Sequence, residues 1–155
     1  MTSITGYDGI GADAAAISRV AQAGDAVFHY QDGIYAWTAA DLALFDGRGV
    51  DLVAITVFGD PSCAVGDVEN GDMTPQKARG YIRARRRLGH QACIYCNQDT
   101  LPKVRAECQG LIYNVLIALW DGTREPVPGT IGKQYLPGPD YDTDVIYDPF
   151  WRRPL

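Results

Sequence analysis

Apolar positions along the chain follow two alternating periods. Runs rich in β-branched and aromatic residues at 3–8, 26–30, 51–58, 63–69 and 92–97 read as strands. Segments with helical spacing and end signals lie between most of them. Asp13 opens a helix that runs to Gln22 and stops at Gly24. Thr38 and Asp41 make a capping box for a helix reaching Phe45, before Gly47. Thr74 caps a helix with Pro75 at its first position and Gly89 at its end, and residues 100–107 form a short helix with Pro102 in its first turn. Beyond it the pattern changes. Residues 115–120, 130–135 and 141–147 read as three more strands, joined by Gly- and Pro-rich segments without helical periodicity.

Eight strands and about four helices, alternating in the first two-thirds, imply parallel pairing. Eight is also the number of strands that closes a barrel filled by side chains. The expected class is therefore α/β, a small irregular β/α barrel of the TIM type with few helices late in the chain. An open doubly wound sheet is the competing architecture. It lacks its usual phosphate loop, because Gly6, Gly9 and Gly11 do not spell GxGxxG.

Composition narrows the class further. The chain has 155 residues, 46% hydrophobic and 21% charged, which suits one globular domain over residues 1–155 and excludes a disordered chain. Net charge is −5, so a nucleic-acid partner is not expected. The charge is uneven: Arg19 and Arg48 are the only basic side chains before Lys77. The arginines Arg83, Arg85, Arg86 and Arg87 close a helix, where they complement its dipole. No run approaches the ~18 apolar residues of a membrane span, and no basic cluster with an apolar run opens the sequence. The expectation is a protein made in the cytoplasm without a signal peptide, with no membrane partner. Cys93 and Cys96 form a CxxC, but on a strand positions i and i+3 point to opposite faces. With Cys63 and Cys108 they are expected to be free buried thiols, and no metal or cofactor is expected.

Candidate chemistry concentrates in residues 64–72. Asp67 and Glu69 lie two apart on one strand, so both leave the same face, and Gly71 breaks the strand beyond them. That C-terminal end is where β/α barrels build active sites. Asp8 ends the first strand in the same way, and Asp142 and Asp144 share a face of the eighth. If the barrel closes, the first and last strands are neighbours, and Asp8, Asp142 and the Asp67/Glu69 pair line one mouth. If it does not, they are scattered solvated acids, which Asp also favours at strand ends. Tyr35, Trp37, Tyr95, Asn97, Trp120 and Tyr135 cluster near the same strand ends, as a carbohydrate site would require. Each could also fill the core or its rim.

These motifs, in this order, resemble the family 25 glycoside hydrolases, the muramidase-type lysozymes. A first strand ending Tyr7-Asp8-Gly9 is followed by Tyr35-Ala-Trp-Thr38 and Asp67-Val-Glu-Asn-Gly-Asp-Met-Thr-Pro75. Then come Tyr95-Cys-Asn97, Lys133-Gln-Tyr135 and Tyr141-Asp142. The likeness is greatest to a shorter glycoside-hydrolase-like branch in actinobacteria and their phages. The resemblance implies about five β/α units plus three further strands. It also implies hydrolysis of peptidoglycan or a related polysaccharide by carboxylate acid/base catalysis. By position, Glu69 resembles the catalytic acid, Asp67 its orienting partner, and Asp8 and Asp142 the flanking carboxylates. Tyr95 and Trp120 match barrel-mouth aromatics. Two departures stand out: Lys133 replaces a Trp common before the Gln-Tyr pair, and Leu116 one on the sixth strand. A protein of this branch would act on the cell wall after release, or be virion-associated. The alternative function is a non-catalytic saccharide-binding or phage virion protein that keeps the barrel and contacts other virion proteins.

The two neighbouring acids are expected to divide their work. Asp67 lies deeper, where hydrogen bonds could favour its charge. Glu69, facing that charge at the mouth, would then keep its proton at neutral pH.

Overall fold

Each strand of the chain pairs with the next, and the last pairs with the first. The computed structural model describes residues 3–153 as a closed barrel in the order β1 Ile4–Gly9, β2 Ala26–Tyr30, β3 Asp51–Thr56, β4 Val65–Asp67, β5 Cys93–Asn97, β6 Asn114–Ala118, β7 Gly132–Leu136 and β8 Asp142–Ile146. Pairing from β1 through β7 is parallel. β8 is antiparallel to both β7 and β1, with Asp8 opposite Asp142 and Gly6 opposite Asp144. The reversal follows from the short connection after β7, whose Pro137-Gly-Pro139 cannot make a parallel crossover and instead turns the chain back. Closure excludes the open doubly wound sheet.

Helices α1 Ala14–Val20, α2 Ala39–Ala43, α3 Pro75–Arg87 and α4 Leu101–Glu107 follow β1, β2, β4 and β5. After β3 the chain returns through a loop, so four strands carry a helix where the resemblance implied five. The Thr38 hydroxyl accepts from the Asp41 N–H, and the Thr74 hydroxyl from the Lys77 N–H, as the capping signals required. Asp13 precedes α1, but its carboxylate turns back to the Ile10 N–H instead of capping that helix. The β4 strand is only three residues long, and Glu69 lies just beyond it.

Three apolar clusters hold these layers together. Phe28, Val53, Ile55, Val65, Cys93, Leu116 and Ile146 fill the barrel. Phe150 and Trp151 plug its lower end, where the Trp151 Nε1–H donates to Asp51 Oδ2 at 2.7 Å. Tyr81, Ile82, Val104, Cys96 and Ile117 pack α3 and α4 onto the sheet. Ile17, Val27, Trp37 and Phe45 do the same for α1 and α2. Cys93 and Cys96 thus lie on opposite faces of β5, as a strand requires. The α3 arginines act locally: Arg85 is buried and donates to the carbonyls of Gln91, Pro61 and Ser62. The β6–β7 loop has its own anchor, the buried Lys133 ammonium. It donates to both Asp121 carboxylate oxygens and to the Thr123 hydroxyl at 3.0–3.1 Å. Among the described residues no helix is long and apolar enough to cross a membrane.

Two glycines make the closure possible. A Cβ on Gly6 would lie 2.8 Å from the Asp144 Cβ. One on Gly132 would lie 2.8 Å from Ile146 Cδ1 and 2.9 Å from the Val145 carbonyl oxygen. Gly132→Ala is therefore expected to lower stability by about 1–3 kcal/mol through overpacking. Gly80→Ala, on open α3 surface, should raise it by roughly 0.5–1 kcal/mol. Urea unfolding midpoints check both, and an unchanged midpoint for Gly132→Ala would contradict the account of the seam.

Candidate functional site

Inward-pointing residues at the upper end of the barrel converge on one mouth. The alternation that sends Gly6 into the barrel also sends in Asp8 at the end of β1. Phe28 and Tyr30 on β2, and Val65 and Asp67 on β4, obey the same rule. Because β8 runs in reverse, its first residue, Asp142, reaches this mouth as well.

Gln134 on β7 joins these elements. Its Nε2 donates to Asp8 Oδ2 at 3.1 Å, and its Oε1 accepts from the Tyr95 hydroxyl at 2.7 Å and the Trp120 Nε1–H at 2.9 Å. Across the mouth the Tyr30 hydroxyl donates to Asp67 Oδ2 at 3.1 Å, and Asn97 Nδ2 donates to Glu69 Oε1 at 3.4 Å. Asp142 Oδ1 accepts from the Gly138 N–H. A cavity of about 270 Å³ lies between Asp8, Glu69, Tyr95, Trp120 and Asp142. A second hollow of about 450 Å³ opens on the other side of Glu69, between Tyr35, Phe58, Asp67 and Asp72.

No protein-family model matches the chain, and no curated protein matches it in sequence. Two solved structures share the barrel at nearly full length. A family GH25 lysozyme from Aspergillus fumigatus superposes with a TM-score of 0.61 at 12% identity, over 97% of each chain. A muramidase from Acremonium alcalophilum superposes with a TM-score of 0.56, also at 12% identity, over 94% of this chain and 93% of that one. The fold is that of a GH25 lysozyme.

Within this GH25-like barrel the expected residues separate into groups. Asp8, Glu69, Asp142, Tyr95 and Trp120 line one cavity, while Asp67 and Tyr35 line the adjoining hollow. Asn97 holds Glu69. Two expectations are corrected. Trp37 is not at the mouth: it is buried between α1, α2 and the sheet, its Nε1–H bonded to the Gly9 carbonyl, because the chain turns inward after the exposed Ile34 and Tyr35. Tyr135 points away from the cavity, beneath the Arg124 guanidinium. It neighbours the inward Gln134, and a strand sends adjacent side chains to opposite faces.

Gln134, Tyr30 and Asp72 join the site without a sequence motif that assigns them a role. The alternation that selected Asp67 and Glu69 also marks Tyr30, two beyond Phe28, and Gln134, two beyond Gly132. Asp144 lies one layer below Asp142, fully buried, and neither of its carboxylate oxygens has a hydrogen-bond partner.

Burial pushes the carboxyls of Asp8, Asp67, Glu69, Asp72, Asp142 and Asp144 upward. Asp8 is raised well above the usual range, first by desolvation and then by Asp144 and Asp142; Asp144 is raised by burial and Asp142. Asp67 is only 1% exposed, and desolvation, with Glu69, Asp72 and Asp8 nearby, lifts it to about 8 despite the Tyr30 hydrogen bond. Glu69, half-buried, is raised by desolvation and by Asp72, with Asn97 opposing. This reverses part of the expected division of labour. The deeper acid is not the ionised one, because a single hydroxyl does not offset the loss of water; Asp67 keeps its proton at neutral pH.

A carboxyl whose pKa is higher in the folded than in the unfolded state makes stability fall as pH rises between the two values. For Asp67 that window runs from its ordinary 3.8 to about 8. Asp67→Asn should therefore be nearly neutral at pH 4 and stabilising on the order of 2–5 kcal/mol at pH 8. Thermal melts of both proteins across that range measure the difference. A gap independent of pH would refute the buried, protonated Asp67.

Proposed function

We propose that the protein is a glycoside hydrolase of muramidase type, cleaving peptidoglycan or a related polysaccharide. The observation that carries this reading is the convergence of Asp8, Glu69 and Asp142 around one cavity, with Asp67 beside it, at the upper mouth of a GH25-like barrel. In the proposed mechanism Glu69 is the general acid. It reaches both hollows, and burial and Asp72 raise its pKa, the direction that a proton donor to the leaving-group oxygen needs. Asp67 positions it, and Asp8 and Asp142, in their ionised forms, stabilise an oxocarbenium-like transition state. Trp120 and Tyr35 provide exposed flat faces for sugar rings.

One observation favours the alternative, a saccharide-binding or virion protein of actinobacterial or phage origin. Trp37 and Tyr135 lie away from the mouth and Tyr95 is buried, so of the expected aromatics only Trp120 and Tyr35 offer open faces. Release of reducing sugar from purified cell wall separates the readings. Activity in the wild type that falls ~10²-fold or more in Glu69→Gln fits general acid catalysis. Wall binding without release in either protein supports the alternative.

The pH profile tests the acid's identity. Activity should fall as pH rises through the Glu69 pKa. Asp72→Asn removes a charge that raises this pKa, so the falling limb should move to lower pH. An unmoved limb would exclude Glu69 as the titrating acid under Asp72's influence.

A further inference from the structure

Among the described residues, the mouth contains acids and no Lys or Arg. Asp8, Asp13, Asp140 and Asp142 line the first cavity together with Glu69, and Asp67 and Asp72 line the second. No Lys or Arg lines either one. Lys103 lies in a separate hollow behind the 68–75 loop, and Arg124 is stacked on Tyr135. Two of these acids are also incompletely satisfied. Asp8 is 7% exposed and Asp67 1% exposed, and Oδ1 of each has no hydrogen-bond partner. Exposed apolar faces flank them, Trp120 on one side and Tyr35 and Phe58 on the other.

We infer that this mouth selects a glycan bearing free, protonated amino groups: an amino-sugar polymer that is at least partly unacetylated where it crosses Asp8 and Glu69. The inference rests on the glycosidase reading of the mouth and narrows its substrate. A glycan carrying carboxylates or phosphates in these hollows would find no base and would meet like charge. A neutral glycan would offer the carboxyls no charged donor. A sugar ammonium supplies one, through charge-assisted N–H···O bonds that are stronger than neutral ones. The apolar faces would hold the ring while the acids hold its amine. Pairing with a cation favours the ionised carboxyl. Each carboxyl that pairs therefore gives up its proton to solvent on binding, and the amine keeps its own.

The test is calorimetric titration of the wild-type protein with a glucosamine tetrasaccharide and with its N-acetylated counterpart. Mildly acidic buffers of different ionisation enthalpy count the protons released. The free-amine sugar should bind about tenfold or more tightly, a charge-assisted preference. That preference should shrink in high salt, and binding should release protons. Asp8→Asn should erase most of the preference. Asp140→Asn, on an exposed loop where folding is not at stake, should reduce it. Equal or tighter binding of the acetylated sugar, or no binding of the free amine, overturns the inference. Hydrolysis of both sugars by wild type and Glu69→Gln keeps the two proposals apart. Cleavage of the acetylated glycan alone upholds the glycosidase and overturns the amine selectivity. Tight, salt-sensitive amine binding without cleavage of either upholds the selectivity and overturns the glycosidase.

Discussion

The seam between β1 and β8 is the constraint on which the site depends. β8 enters antiparallel between the first and seventh strands, which puts its first residue at the same end as the last residues of β1. Only in that register does Asp142 face Asp8 across the mouth. The seam is narrow, and its two flanks are built alike. Gly6 leaves room for the Asp144 side chain and Gly132 for that of Ile146. A larger residue on either flank would push β8 outward and separate carboxylates that lie at opposite ends of the sequence.

Closure also confines the acids. Asp8, Asp67 and Asp144 are buried together, and among the described residues no Lys or Arg lines their mouth. The buried Lys133 ammonium lies on the outer side of β7, committed to Asp121 and the β6–β7 loop. Such crowding is tolerable only because much of the charge is absent: raised pKa values keep carboxyls protonated, which lowers repulsion and desolvation together. It still costs stability at neutral pH, and the helix-covered clusters on either side of the sheet must offset it. Concentrating unfavourable groups at one mouth while the rest of the sequence obeys packing rules is the pattern expected of a functional site. Asp144 fits this picture as an indirect participant. It has no exposed surface, and its influence passes through Asp8.

Much of this arrangement can be read from the sequence, because two local rules generate it. Glycine punctuation and capping residues delimit the elements: Thr38 and Thr74 cap the helices they were expected to cap. Two-residue alternation then assigns faces, which is why Asp67 and Glu69 are found on one side and Cys93 and Cys96 on opposite sides. The failures are tertiary. Trp37 follows β2 closely enough to suggest the mouth, but a loop has no fixed periodicity, and its indole is captured by the Gly9 carbonyl. Tyr135 lies near the end of β7, but its neighbour Gln134 takes the inward position, and one residue along a strand exchanges inside for outside. The proton on Asp67 escapes sequence reasoning for another reason. Whether hydrogen bonding or desolvation controls a deep carboxyl depends on how many donors actually reach it, and only Tyr30 does.

Gln134 shows how little of such a network is arbitrary. An amide has one accepting and one donating end, and the tryptophan indole N–H can only donate. Trp120 therefore fixes the amide oxygen toward the aromatics, where the Tyr95 hydroxyl joins it. The amide nitrogen must then face Asp8, and one Asp8 oxygen accepts from it whatever the protonation state of the carboxyl. The proton of Asp8 is left to its other oxygen. Thus an exposed aromatic at the rim sets the orientation of a buried amide, and that amide determines which oxygen of an inward acid is left to carry its proton. A glutamate in place of Gln134 would have no donor for Asp8 unless it were itself protonated, and would add another acid to a mouth already crowded with them. The amide joins β7 to β1 and aromatic to carboxyl without adding charge.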